Sequence, residues 1–137
     1  MLQPKSPTYA LLAVTEIARQ QTPGKRGAQA KQLAKTFGLP VAYLARILSN
    51  LAAGKILRSR RGPRGGFHLA RSPATITCLD VIQAVGGVED LHDAIVAIRV
   101  PPRLRQGLTA VFRQAADAAR KSLDSVTIQR LAAGSRK

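Results

Sequence analysis

A glycine-rich turn between two short alternating segments constrains the fold of this chain more than any other feature. Residues 61–66 read Arg-Gly-Pro-Arg-Gly-Gly, and segments in which apolar and polar residues alternate flank them at residues 56–60 and 67–70. Glycine and proline between such segments favour a tight connection, so the sequence predicts a β-hairpin. The hairpin region holds six basic residues and no acid: Lys55, Arg58, Arg60, Arg61, Arg64 and Arg71.

Three amphipathic helices are predicted ahead of the hairpin. The first begins at Ser6, and the second covers residues 28–37 and ends at Gly38. The third lies between Pro40 and Gly54. Three helices followed by a basic hairpin is the order of a winged helix-turn-helix, in which the third helix enters the major groove of DNA and the hairpin, or wing, reaches a minor groove or the phosphates. The predicted fold class is therefore mainly α with a small β-hairpin.

A fourth helix, a connector and a long helix are predicted after the hairpin. Thr77 and Asp80 have the spacing of a capping box at the start of the fourth helix, which is expected to end near Gly86. The chain is thereby divided into a winged helix-turn-helix domain at residues 1–87, a variable connector at 88–102, and a long helix with a C-terminal tail at 103–137.

The predicted long helix carries an alanine-rich apolar stripe. Small residues let another helix approach closely, so the stripe suits packing on the first helix, on a second subunit, or on both. The stripe residues recur every three or four positions and are Leu104, Leu108, Val111, Phe112, Ala115, Ala119 and Leu123. A short final helix is predicted at residues 127–131.

The composition indicates a folded protein. The 137 residues are 45% hydrophobic and 21% charged, which excludes the composition typical of disordered chains, and the apolar runs are too short to span a bilayer. No signal-peptide pattern follows Met1, so a cytoplasmic location without membrane attachment is expected. The single cysteine, Cys78, excludes an intrachain disulfide and a multi-cysteine metal site.

Positive charge is concentrated in the N-terminal part of the chain. The net charge is +15, and residues 1–79 hold thirteen basic residues against one acid, while residues 80–137 hold nine against six. This distribution predicts a polyanion partner, and the winged helix-turn-helix order favours double-stranded DNA. Two other interpretations stay open: a winged helix that binds RNA or the ribosome, and a protein-interaction module whose basic wing docks on an acidic partner. The sequence has no nucleophile motif and no phosphate-binding loop, so an enzyme is not expected.

Several motifs of the chain resemble those of the Rrf-two (Rrf2) family, which are bacterial winged helix-turn-helix transcription regulators of the iron-sulfur cluster regulator type. The motif of greatest specificity is Arg-Gly-Pro-Arg-Gly-Gly-Phe-His-Leu-Ala at residues 61–70. Shorter matches are Tyr9-Ala10-Leu11, Gln32-Leu33-Ala34, Tyr43-Leu44 and the segment from Ile76 to Val85. The resemblance implies a regulator, expected to be a repressor, that binds a palindromic operator as a homodimer. Its long C-terminal helix would form the dimer interface.

The resemblance also assigns residues to the DNA. The first turns of the third helix should face bases or phosphates, and the wing should contact a minor groove or phosphates. The expected DNA-binding residues are Val41, Ala42, Tyr43, Arg46, Arg58, Arg60, Arg61, Arg64 and His68. For His68, an exposed position without a function is an equal alternative. Some family members have a glutamate two residues after the tyrosine, where this chain has Ala45, so the operator preference does not carry over.

The segment associated with sensing departs from the family. Cluster-binding relatives have three cysteines between the fourth helix and the long helix, whereas residues 86–104 contain none, so no iron-sulfur cluster or other cofactor is expected. Cys78 is predicted to be a buried structural residue, with a redox switch as the alternative. A cluster of acids and one histidine suits a helix N-terminus, with metal binding as the alternative. Its members are Glu89, Asp90, His92 and Asp93. No motif identifies a small-molecule effector.

Overall fold

Six α-helices and a two-stranded hairpin make up the part of the chain that the structure, a computed structural model, describes: residues 6–21, 26–63, 65–87 and 99–134. In chain order the elements are α1 (Ser6–Gln20), α2 (Ala30–Phe37), α3 (Val41–Ala53), β1 (Leu57–Arg60), β2 (Gly66–Leu69), a 3-10 turn (Pro73–Thr75), α4 (Cys78–Ala84), α5 (Pro102–Asp124) and α6 (Ile128–Gly134). The predicted class, mainly α with a β-hairpin, is confirmed. Within these ranges no helix has both the length and the hydropathy that crossing a membrane requires.

The second helix begins two residues later than the sequence predicted. Ala28 forms an isolated antiparallel bridge with Phe67 of the hairpin. The Ala28 N–H donates to the Phe67 carbonyl at 2.9 Å, and the Ala28 carbonyl accepts from the Phe67 N–H at 2.8 Å. Because this pairing holds Ala28 in an extended strand conformation, α2 begins only at Ala30. It ends as predicted at Gly38, whose φ of 67° is a left-handed conformation that glycine adopts without strain.

The hairpin follows α3 directly, and apolar residues at its base hold it to the core. β1 and β2 are antiparallel, with Leu57 opposite Leu69 and Arg60 opposite Gly66. Both leucines are buried, whereas Arg58, Ser59 and Arg60 are exposed. The hairpin is therefore buried at its base and exposed toward its turn, and the basic residues of β1 lie in solvent.

The fourth helix has the predicted capping box. The Thr77 hydroxyl accepts from the Asp80 N–H at 3.1 Å, and the Asp80 carboxylate accepts from the Thr77 N–H at 3.0 Å. These reciprocal bonds satisfy two backbone donors at the helix start. The helix ends at Ala84, slightly before the predicted Gly86.

The last helix returns to the core of the N-terminal part of the chain. α6 packs on α1, and its Ile128 side chain is fully buried. The Ile128 N–H donates to the Ile76 carbonyl and the Cys78 N–H donates to the Val126 carbonyl, both at 2.8 Å. α6, which lies in the predicted segment at residues 103–137, therefore contributes to the core of the N-terminal part of the chain.

The core is formed by residues of α1, α2, α3, α4 and α6 together with the base of the hairpin. Its fully buried side chains include Val14 of α1, Leu44 and Leu48 of α3, and Val81 of α4. The long helix α5 packs on α4, but Ala116 is its one buried residue. Most of the predicted connector, at residues 88–98, lies outside the described residues.

Candidate nucleic-acid interface

The third helix presents its first turns to solvent along one face. Its opposite face is fixed in the core by four buried residues: Leu44, Ile47, Leu48 and Leu51. Val41 is 47% exposed, and Ala42 and Arg46 are exposed as well. The helical period places Ala42 and Arg46 away from the buried residues. Val41 is aligned with Leu44 and Leu48 but is accessible because it is the first residue of the helix, so the start of α3 is open to a partner.

Tyr43 connects the first turn of α3 to the start of α1. Its hydroxyl forms a 2.9 Å hydrogen bond with the hydroxyl of Ser6, which is only 1% exposed. Its ring meets the ring of Tyr9 edge-on, with centroids 6.1 Å apart. The expected DNA contact of Tyr43 stays a prediction, and the structure adds a role in orienting α3. The sequence did not predict this connection, for which the only signal was a tyrosine in each of two predicted helices.

The wing carries exposed arginines on and beyond β1. Arg58, Arg60 and Arg61 are all exposed, as a contact with phosphates requires. Arg64 lies outside the described residues. The structure thus leaves three of the four expected wing arginines accessible to a polyanion.

His68 lies in a more enclosed position than the described arginines of the wing. It is half-buried and opposite Arg58 in the hairpin register. With Ile17, Arg26 and Gly27 it lines a small cavity of about 20 Å³, the size of a single water molecule. Its expected contact with phosphate stays a prediction.

The wing is held in place by the segment that joins α1 to α2. Besides the bridge at Ala28, the Gly27 N–H donates to the Gly65 carbonyl at 3.1 Å. The side-chain amide of Gln29 donates to the same carbonyl at 2.9 Å. The side-chain carbonyl of Gln21 accepts from the Leu69 N–H at 2.9 Å. The sequence did not predict these contacts, because their partners are far apart in the chain.

Glycine is required at Gly66 by this close approach. Its φ is 117°, and a Cβ atom built there would lie 2.7 Å from the Ala28 carbonyl oxygen and 2.7 Å from the Gln29 amide nitrogen. A side chain at this position would therefore be strained and would also displace the segment that holds the wing.

Arg71, at the foot of the wing, already has an acidic partner. Its guanidinium lies 3.2 Å from the Asp80 carboxylate, and it also donates to the Thr75 carbonyl. Partial burial by itself raises the pKa of Asp80, but the hydrogen bond from the Thr77 N–H and the contact with Arg71 outweigh it and hold the pKa below its ordinary value. Arg71 thus links the wing to α4.

The apolar stripe of α5 is largely exposed in the single chain. Val111 is 60%, Leu104 51% and Leu108 38% exposed, and these three account for most of the large exposed hydrophobic side chains in the described residues. Ala115 is exposed, whereas Phe112, Ala119 and Leu123 are half-buried. The stripe predicted from the sequence is therefore present, and its N-terminal half is the more open part.

Cys78 is a buried residue at the start of α4, as predicted. It is 5% exposed, and burial raises the pKa of its thiol more than the hydrogen bond of the Cys78 backbone lowers it. A raised pKa leaves little of the nucleophilic thiolate at neutral pH. A structural role for Cys78 therefore fits the described environment better than a redox role.

Comparison with known proteins identifies a family. The family model described as Rrf2, iron-dependent transcriptional regulator, matches residues 5–134. The HTH-type transcriptional regulator CymR of Bacillus subtilis is 30% identical over 128 residues, which are 90% of this chain and 84% of that protein. A relative of Aquifex aeolicus, named as an HTH-type transcriptional regulator, is 35% identical over 78 residues, and the match spans 52% of its length.

Solved structures support the same assignment. The structure of CymR, the global cysteine regulator of B. subtilis, superimposes with a TM-score of 0.72 at 27% identity and covers 98% of this chain and 99% of that chain. IscR of T. potens gives a TM-score of 0.70 at 22% identity and covers 96% and 85% of the two chains, a similarity that shows the fold alone.

The described residues do not fit an iron site of the kind that the family description suggests. Iron-sulfur clusters are held by several thiolates, whereas the sequence has one cysteine, and that cysteine is buried. In the described ranges no three potential metal ligands lie together. The acidic cluster formed by Glu89, Asp90, His92 and Asp93 lies outside those ranges.

Proposed function

This chain belongs to the Rrf2 family of HTH-type transcription regulators, and from that premise we propose that it binds a palindromic operator as a homodimer and represses transcription. It is a DNA-binding regulator rather than an enzyme.

The exposed start of α3 is the observation that carries the proposed mode of DNA binding. In a helix-turn-helix the second helix of the pair lies in the major groove and contacts bases with its N-terminal residues. Val41, Ala42 and Arg46 are exposed at this point of α3, while Tyr43 orients the turn. The wing residues add contacts to phosphates or to an adjacent minor groove. These are Arg58, Arg60, Arg61, His68 and, by its place in the same motif, Arg64.

The exposed stripe of α5 supports a homodimer. A 23-residue helix with one buried residue leaves apolar surface that a second copy of the same helix covers. A two-fold symmetric dimer presents two α3 helices related by that axis, so its operator is palindromic. A dimer bound across a promoter blocks access to it, and we therefore expect repression.

DNA binding is tested with duplexes selected from the source genome by the purified protein. We expect Arg60→Ala to weaken binding to selected and random duplexes alike, because a phosphate contact carries no sequence information. Arg46→Ala should weaken binding to the selected duplex by roughly fivefold or more and change binding to random DNA little. The control is Arg113→Ala, which removes the same charge from an exposed position on α5.

Two further measurements test the proposal: the salt dependence of DNA binding, and the preference of the protein for duplex DNA over structured RNA. Affinity for the duplex should fall steeply as salt rises, and Arg60→Ala should reduce the slope by about one. Preferential binding to structured RNA, or no salt-dependent shift, would contradict the proposal. Repression is measured by transcription in vitro from a promoter that contains the selected site.

The dimer is tested by sedimentation of Val111→Glu. A charge at this exposed position of the stripe should convert the dimer to a monomer without loss of helical content, because the side chain is not part of the core. Gln106→Glu is the control, since the 3.6-residue period places it on the opposite side of α5. A dimer that persists in Val111→Glu would overturn this interface.

A further inference from the structure

The exposed face at the start of α3 offers very little hydrogen-bonding chemistry. In its first two turns the side chains that are not buried are Val41, Ala42, Tyr43, Ala45 and Arg46. Three of them are apolar. Tyr43 has its hydroxyl bonded to Ser6 and its ring against Tyr9. Arg46 is therefore the one exposed side chain in these turns that can donate hydrogen bonds to base edges.

Val41 is an unusual residue for an exposed first position of a helix. A β-branched side chain lowers helix propensity, and 47% of this one is in contact with solvent. The helical period aligns Val41 with the buried Leu44 and Leu48, but neither this alignment nor helix propensity accounts for the half of the side chain that lies in solvent. An apolar contact with a partner does explain it, and Ala42 continues the same apolar surface.

The chemistry of the bases restricts what such a surface recognises. In the major groove adenine is typically read by asparagine or glutamine, and the amino group of cytosine by a carboxylate. Residues 41–47 contain none of these side chains. The C5-methyl group of thymine is the apolar feature of the groove, and arginine pairs with the O6 and N7 atoms of guanine.

We propose that each half-site of the operator presents thymine methyl groups to Val41 and Ala42 and a guanine edge to Arg46. This inference rests on the proposed function, and it specifies the class of operator: thymine-containing half-sites in which methyl contacts, rather than hydrogen bonds, supply most of the readout by the first turn. The protein should therefore bind two half-sites of equal A·T content differently when their thymine methyl groups lie at different positions.

Replacement of thymine by uracil tests the inference, because it removes the methyl group and keeps every hydrogen-bonding group. In a duplex selected by the protein, each thymine is replaced in turn and the dissociation constant is measured. We expect one or two positions in each half-site at which the dissociation constant rises roughly fourfold, as for one buried methyl group. A flat profile in a duplex that the protein binds specifically would overturn the inference and leave the proposed function standing. Failure to bind any duplex would overturn both.

Val41→Ala tests whether Val41 is the residue that contacts a thymine methyl group. In this variant the uracil penalty should shrink at the position that Val41 contacts, because alanine lacks the two Cγ methyl groups, and keep its size at the position next to it, which belongs to Ala42. The variant should fold as the parent does, because alanine is the better helix former at an exposed site. Ser49→Ala is the matched control, since Ser49 is exposed farther along α3 and should leave the profile unchanged. A penalty that is unchanged in Val41→Ala at every position would overturn the assignment.

The guanine contact is tested with 7-deazaguanine, which lacks the N7 acceptor. One such replacement in each half-site should weaken binding roughly fivefold or more in the parent protein, and should have no effect in Arg46→Ala. A penalty of equal size in Arg46→Ala would show that another residue contacts this guanine and would overturn that part of the inference.

Discussion

The carboxylate of Asp80 joins two local structures at the scale of single residues. It accepts from the Thr77 N–H at the start of α4 and from the Arg71 guanidinium at the foot of the wing. The first bond belongs to the capping box that the sequence predicted, whereas the second brings together residues of different elements. Protonation of this one group therefore weakens both the helix start and the link to the wing.

Substitution of Asp80 by asparagine is expected to remove part of the acid sensitivity of the fold. The folded-state pKa of Asp80 lies below its ordinary value, so its contribution is present above the unfolded pKa of about 4 and is lost as the pH falls through the lower folded pKa. Asp80→Asn should thus be less stable than the parent at pH 7, and the difference should shrink on acidification. Urea unfolding from pH 7 to pH 3 measures it. Asp117→Asn, which removes an exposed carboxylate of α5, is the control, and a difference that does not change with pH would contradict the expectation.

At the scale of elements, the contact between the wing and the α1–α2 segment determines how the wing is presented. Gln29 occupies the N-cap position of α2, yet its side chain makes no capping bond and donates to the Gly65 carbonyl instead. Serine, threonine, aspartate and asparagine are the usual N-cap residues. The chain thus has, at this position, a residue that stabilises the wing rather than the helix.

Gln29→Ser should separate the two roles. Serine can cap α2, which contributes about 1 kcal/mol, and the loss of the bond to Gly65 costs about the same, so the free energy of unfolding should change little. The wing should nevertheless loosen. Amide hydrogen exchange should accelerate at Gly27 and Phe67, whose N–H groups pair across this contact, and should stay unchanged in α1. Unchanged exchange at both amides would show that Gln29 does not hold the wing.

At the scale of the whole molecule, the chain passes through α5 and returns to its starting domain. Ile128 of α6 is fully buried in the same core as Val14 of α1 and Val81 of α4. A position near the C-terminus therefore affects the stability of the DNA-binding part. This closure also fixes the C-terminal end of α5 relative to the core, since α5 is followed directly by α6.

Ile128→Ala should destabilise the DNA-binding domain and not only the C-terminal end. Truncation of a fully buried isoleucine costs about 2–5 kcal/mol, which is a large fraction of the stability of a chain this size. Thermal unfolding followed by circular dichroism should show one transition at a lower temperature. The control is Gln129→Ala, an exposed neighbour on the same helix, which should leave the midpoint nearly unchanged. Two separate transitions, with only the minor one shifted, would contradict a shared core.

The sequence alone determined the features that depend on neighbouring residues: the helical periods, the turn between β1 and β2, the glycine that ends α2 and the capping box of α4. Together with the basic wing motif they were sufficient to predict the fold class and the family. Tertiary structure decided the contacts between distant residues, such as Ser6 with Tyr43 and Gln29 with Gly65, which are 37 and 36 positions apart. A sequence period reports which face of an element is apolar, but not which element packs against it. Only the packed chain could therefore show that Tyr43 is bonded to α1, that Gln29 holds the wing and that α6 contributes to the core of the N-terminal part.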